Sequence, residues 1–224
     1  MSPGLDAQGF PDPRAADAEG LVAVGLPLTR ARMLHAYAHG IFPWPHGNLP
    51  MLWFSPDPRA VLQVDTLHVS RRLARTLRQG RFTLSWNRCF ARVVQECARR
   101  RREGTWIVPE LAAAYLDLHQ SGAAHSLEVW RDEALVGGLF GIQRGALFCG
   151  DSMFSRVSDA SKVALVACVR SVFAAGVRLF DVQLLTPHLA RMGAREWARD
   201  HYLAAAARAV TMPVDLGGIV PAAT

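Results

Sequence analysis

The chain has 224 residues, half of them apolar, so it can bury a sizeable core as one large domain or as one domain with a small companion. No apolar run approaches the roughly 18 residues of a membrane span. The first twenty residues lack the basic and apolar regions of a secretory leader. Together these point to a cytoplasmic protein without a membrane partner. Net charge is +6, and apart from Lys162 the basic charge is all arginine. Between Arg71 and Arg102 arginines outnumber acidic residues heavily, as expected of a polyanionic partner such as nucleic acid. Cys89, Cys97, Cys149 and Cys168 are widely spaced with no C-x-x-C, and no H-E-x-x-H occurs. Buried free thiols and no metal site are the expectation.

In chain order, the Pro/Gly-rich start is loop. Leu28–Gly40 has the pattern of a helix capped by Thr29 and stopped by Gly40. Ile41–Arg59 holds five prolines with Phe42, Trp44, Trp53 and Phe54, a rigid non-helical stretch whose aromatics build a small core or a pocket wall. Arg59–Val64 reads as a strand. Ser70–Gln79, Asn87–Glu103 and Pro109–Gln120 have helical spacing, and the arginines closing the second of these sit near the negative pole of the helix. His125–Phe154 alternates as three strands, with turns at Arg131-Asp132-Glu133 and Gln143-Arg144-Gly145. Ser158 or Asp159 starts a helix to about Ala175. A strand within Gly176–His188 and a helix over about Ala198–Val210 complete the chain.

An antiparallel meander followed by a crossover helix and a strand rejoining the sheet is an α+β core. It resembles the central half of a GNAT-type acyltransferase. The corresponding phosphate turn, Ser155–Lys162, lacks the Q/R-x-x-G-x-G/A pattern of a coenzyme A site, which argues against an acyl-CoA enzyme and leaves Arg156 and Lys162 for another phosphate.

One strand carries an anomaly. In "GVRLFDVQLLTPH" (Gly176–His188), Asp181 and Gln183 interrupt an apolar run, and strand periodicity places them on one face. By themselves they are either a buried polar pair fixing a loop or a catalytic pair.

Seven ordered blocks narrow the choice. "GIFPW" (Gly40–Trp44), "WFSPDPRAVL" (Trp53–Leu62), "EGTWI" (Glu103–Ile107), "AHSLEVW" (Ala124–Trp130), "LVGGLFG" (Leu135–Gly141), "LFCGDSMFSRVSDASK" (Leu147–Lys162) and "FDVQLLTPHLARMGARE" (Phe180–Glu196) closely resemble the bacterial leucyl/phenylalanyl-tRNA–protein transferase family. The resemblance implies a small N-terminal domain (residues 1–57) and a GNAT-like catalytic domain (residues 58–224) with a mixed, mostly antiparallel sheet. It implies transfer of leucine or phenylalanine, and also methionine, from aminoacyl-tRNA to proteins with an N-terminal arginine or lysine, marking them for degradation, without a cofactor; a monomer suffices. It assigns catalysis to Asp181 and Gln183. Gln183 would accept a hydrogen bond from the attacking amine, and Asp181 would orient the Gln183 amide.

The donor side chain needs an apolar cavity, for which resemblance and residue type together point to Trp44, Trp106, Leu139, Phe148, Met153, Leu165, Cys168 and Phe180. Asp151 is the family-matched carboxylate for the acceptor's cationic side chain, standing where the family usually has Glu. Candidates for tRNA phosphates are Arg71, Arg72, Arg75, Arg78, Arg99, Arg100, Arg156 and Lys162. A related transferase with altered acceptor preference, or a basic RNA-binding protein without catalysis, are the competing expectations.

Overall fold

A computed structural model of the chain describes residues 4–99 and 105–221. Two sheets organise it. The smaller pairs β1 (Leu21–Val24), β3 (Leu52–Phe54) and β2 (Phe42–Pro43). It is fed by α1 (Arg30–Ala38), which Thr29 caps by accepting from the Arg32 N–H, as expected. Gly40 ends that helix at φ 73°, and a Cβ there would lie 2.6 Å from Leu203 Cδ2, so only glycine fits the turn.

The larger sheet has seven strands in the order β10-β4-β9-β8-β7-β6-β5. They are β4 (Arg59–Val61), β5 (Thr83–Trp86), β6 (Ala124–Arg131), β7 (Ala134–Arg144), β8 (Leu147–Ser155), β9 (Leu179–Gln183) and β10 (Arg195–Trp197). Only β8 and β9 run parallel; they are joined by the crossover helix α5 (Ala160–Ala174), so the sheet is mixed and mostly antiparallel. The remaining helices are α2 (Arg71–Arg78), α3 (Phe90–Ala98), α4 (Pro109–Gln120), α6 (Pro187–Arg191) and α7 (Arg199–Val210).

Alternation along the strands feeds two cores. Leu147 and Cys149 pack with residues of α1, α3, α4 and α7, while Phe148 and Phe180 pack with the almost wholly buried α5 and the Leu73/Leu77 face of α2. A sheet clothed by helices on both faces is the expected α+β architecture.

Several boundaries differ from expectation for local reasons. The helix expected over Asn87–Glu103 spans Phe90–Ala98. Asn87 cannot enter it, because its φ is 57° and its side chain binds the Ser126 N–H and His125. The buried Glu128 carboxylate instead accepts the N–H groups of Arg88 and Cys89 at that helix start. The arginines from Arg100 onward in this stretch lie outside the described residues. Asp159 adopts φ 68° and gives α5 no side-chain cap; its carboxylate is taken by Lys162 and Arg72. The second hairpin turns at Gly145-Ala146, because Gln143 and Arg144, expected in the turn, are still paired in β7.

Candidate functional site

The site begins where two parallel strands part. β8 and β9 are in register through Cys149 opposite Asp181, and beyond that pair both line a cavity of about 270 Å³ instead of pairing. Each strand is irregular at this point. On β8, Gly150 faces Gly141 and Ser152 faces Phe140, which leaves Asp151 as an extra residue. On β9, Val61 faces Asp181 while the adjacent Ala60 faces Gln183, and Gln183 has φ 61°. Such irregularities re-aim side chains, and a left-handed glutamine is strained.

That break corrects the expected geometry of the Asp181/Gln183 pair. Alternation would send both side chains to one face. The structure instead puts Gln183 on the cavity wall and Asp181 behind it, fully buried. Asp181 does not hold the Gln183 amide. Its Oδ1 accepts from Arg59 Nε at 2.9 Å and from the Gln183 backbone N–H at 2.8 Å. Its Oδ2 accepts from Arg59 Nη2 at 2.6 Å and from the Tyr202 hydroxyl at 2.8 Å. Asp181 therefore fixes the Gln183 main chain, and the side-chain amide donates to Asp151 Oδ1 at 2.7 Å. This leaves Gln183 Oε1 with no hydrogen-bond partner among the described residues, free to accept from a ligand.

Arg59, like Tyr37, is a residue whose place in the site sequence reasoning missed. It is 1 % exposed, pairs with Asp181 through both ends of its fork, and donates from Nη1 to the Gly40 carbonyl at 2.8 Å. Its guanidinium lies 4.8 Å from the Phe42 ring centre and 4.6 Å from that of Tyr202. Burial works against its charge, but the adjacent Asp181 carboxylate outweighs this and lifts its pKa above the usual arginine value. A signal existed: an arginine opening a strand whose other residues are apolar must find a buried partner.

Asp151 is the second polar element of the wall. Besides the Gln183 amide it accepts the Tyr37 hydroxyl, 3.0 Å from each oxygen, and Tyr37 lies 3.3 Å from the Tyr115 hydroxyl. Burial pushes the Asp151 carboxyl up to about 8, against the downward pull of the Tyr37 and Gln183 hydrogen bonds. The Asp181 charge adds to the rise, and Arg59 opposes it.

The rest of the wall is mostly apolar, with Ser152 and Thr186 as further polar members. Of the eight residues expected there, Trp44, Trp106, Leu139, Met153, Leu165 and Phe180 line it. Phe148 and Cys168 do not. Phe148 stands behind Phe180, ring centres 5.2 Å apart, and Cys168 lies three residues beyond Leu165 on α5, fully buried in the same core. Both support the wall from behind. Phe42, Pro43, Gly150, Val182, Leu184 and Leu189 line it as well. Trp53, from the same aromatic segment as Trp44, is core instead, its indole N–H donating to the Leu26 carbonyl.

The arginines divide into two groups. Arg71, Arg72, Arg75 and Arg78 line the exposed side of α2. Arg72 and Arg75 join Arg81 and Arg131 around a recess of about 430 Å³. Arg99 and Arg156 are both engaged with Glu96, and Lys162 with Asp159. Arg100 lies outside the described residues. No group of His, Cys, Asp and Glu suited to holding a metal ion occurs among the described residues.

A mixed α+β sheet opening at a parallel strand pair onto an apolar cavity with a polar Gln/Asp wall is the setting of a group-transfer enzyme for an apolar substrate. The family described as leucyl/phenylalanyl-tRNA protein transferase matches residues 61–207, and its N-terminal domain matches residues 27–57. The chain is 50% identical over 220 residues to the leucyl/phenylalanyl-tRNA–protein transferase of Anaeromyxobacter sp. (strain K), covering 95% of this chain and 94% of that protein. To that of Edwardsiella ictaluri it is 50% identical over 197 residues (87% and 81%), and to that of Myxococcus xanthus 47% over 211 residues (93% and 90%). The solved structure of L-PGS from Bacillus licheniformis is distant, with 14% identity and a TM-score of 0.41 over 70% of this chain and 53% of that one. The chain belongs to the leucyl/phenylalanyl-tRNA–protein transferase family.

Proposed function

We propose that the protein transfers leucine or phenylalanine from aminoacyl-tRNA to the α-amine of proteins beginning with arginine or lysine, in the cytoplasm, as a mark for degradation. The observation that carries this reading is the cavity itself: a mostly apolar body that suits a hydrophobic side chain unbranched at Cβ, with the hydrogen-bonded Gln183 and Asp151 on its wall.

The ester of an aminoacyl-tRNA is already activated. The acceptor α-amine, with a reference pKa of about 7.7–8.0, is partly neutral near pH 7. The enzyme's main task is to hold nitrogen against carbonyl carbon, which can supply roughly 7–11 kcal/mol when the geometry is good. In this reading Trp44, Trp106, Leu139, Met153, Leu165 and Phe180 seat the donor side chain, and Gln183 Oε1 aligns the amine. Asp181, locked by Arg59, holds the Gln183 backbone in place. Asp151 faces the acceptor's N-terminal residue. The exposed arginines of α2 bind tRNA phosphates, which position without reading sequence and so suit several tRNAs sharing a CCA end. Residues 1–57 act as a small domain that supplies the Phe42–Trp44 side of the cavity to the catalytic domain of residues 58–224.

The test is transfer of radiolabelled leucine and phenylalanine from their tRNAs to peptides beginning with Arg, Lys, Asp, Glu or Ala. Labelling of the Arg and Lys peptides alone is expected. Labelling of the acidic peptides instead would assign a different acceptor class, and no labelling at all would refute the reading.

A further inference from the structure

We propose that Asp151 is the catalytic base that receives the proton shed by the acceptor α-amine, with Tyr37 as the residue that positions its carboxylate. This rests on the transfer reading above and deepens it: the acceptor group that Asp151 meets is the reacting nitrogen.

The chemistry requires a base. When the neutral amine attacks the ester carbonyl, an N–C bond forms and the nitrogen becomes positively charged. One N–H proton must leave before the C–O bond to the terminal ribose breaks, and the departing ribose oxygen must gain a proton. A single group that takes the first proton and returns it to the ribose oxygen balances the reaction with no net proton exchanged.

Few groups can do this. Asp181 is off the cavity wall, and both its oxygens are saturated by Arg59, Tyr202 and the Gln183 N–H. Gln183 aligns a nitrogen but is too weak a base to keep its proton. Among the described residues lining the cavity, Asp151 is the one with an ionisable carboxyl, imidazole or amine. It adjoins the right residue: Gln183, on the same cavity wall, donates its Nε2 to Asp151 Oδ1 at 2.7 Å. An amine aligned by Gln183 thus shares one cavity wall with that carboxylate.

Basicity agrees with geometry. Burial places the Asp151 carboxyl at about 8, close to the reference value of the amine it would deprotonate, so the transfer is nearly balanced; an ordinary carboxylate would return the proton at once. The groups facing it do not titrate in that range. Tyr37 from α1, Tyr115 from α4, Tyr202 from α7 and Cys149 on the same strand are all raised well above their usual values, burial being the largest cause in each. Arg59 from β4 stays charged against Asp181 from β9.

Single-turnover transfer with saturating Arg- and Lys-starting peptides, followed between about pH 6 and 9, tests this across the expected titration. The wild type should gain rate with pH through an inflection near the Asp151 value. Asp151→Asn should lower kcat at least about 10²-fold for both peptides with little change in KM, and its rising limb should become shallower, keeping only the titration of the acceptor amine near about 7.7–8.0. Asp151→Glu should recover most of the rate. Tyr37→Phe removes a hydrogen bond that lowers the carboxyl pKa, so its rising limb should move to higher pH; it carries the test if Asp151→Asn does not fold by thermal melting. A raised KM with unchanged kcat in Asp151→Asn would show a side-chain anchor and overturn the proposal. So would a Tyr37→Phe profile superimposable on the wild type. No transfer by the wild type would refute the transfer reading itself, and the proposal with it.

Discussion

Replacing Arg59 with methionine tests whether the buried pair behind the cavity wall is essential to it. The substitution removes two hydrogen bonds to Asp181 and one to the Gly40 carbonyl, and strands a carboxylate with 0 % exposure. Breaking a buried pair from one side costs about 3–5 kcal/mol, mostly the desolvated charge left behind, against a usual stability of roughly 5–15 kcal/mol. The protein should stay folded with its urea midpoint sharply lowered. Adding Asp181→Leu removes that charge and restores part of the loss, although the Tyr202 hydroxyl and the Gln183 N–H then lack their acceptor. Urea unfolding of the wild type, the two single variants and the double variant should therefore give a coupling of at least about 1 kcal/mol. Arg59→Lys should fall between, since one ammonium cannot satisfy the fork and Gly40 together. Turnover should remain low in the double variant even where stability returns, because Gln183 has lost its backbone anchor. An Arg59→Met loss below about 1 kcal/mol, or additive single effects, would refute the reasoning.

Gln183→Ala should lower kcat at least about 10²-fold with aminoacyl-tRNA binding retained; near-wild-type turnover in a folded variant would remove Gln183 from catalysis. Leu165→Phe fills part of the donor cavity, so competition between Leu-tRNA and Phe-tRNA should shift toward leucine by about tenfold or more, the scale of a small steric change in an apolar pocket. If the α2 arginines hold phosphates, log affinity for tRNA should fall linearly with log salt. Arg72→Ala with Arg75→Ala should flatten that slope by about two, and an unchanged slope would show that the α2 face is merely solvated.

Much of this architecture was legible because local rules and tertiary needs agree. Thr29 caps α1, Pro109 starts α4, and the three meander strands lie within the stretch expected to hold them. The seven motif blocks carried the family, and six of eight expected cavity residues line the wall. What failed did so where a backbone irregularity overrides periodicity. Nothing in "FDVQ" announces that Gln183 turns left-handed, so the alternation argument put Asp181 beside the Gln183 amide when it lies behind it. Phe148 and Cys168 were misplaced by one layer, because residue type identifies apolar surroundings but not which side of Phe180 or α5 is hollow. Arg59 and Tyr37 went unnoticed because their partners lie 122 and 114 residues away.

The hydrogen bond from Arg59 to the Gly40 carbonyl has a consequence for how ligands enter. Gly40 opens the segment that brings Phe42, Pro43 and Trp44 to the cavity, and the same guanidinium clamps the strand bearing Gln183. The Phe42–Trp44 wall and the Gln183 wall of the cavity hang from one buried fork, so neither shifts without the other. In the transfer reading, the two substrates meet a vise whose jaws are already set, and the entropy of closing it is not charged against either encounter.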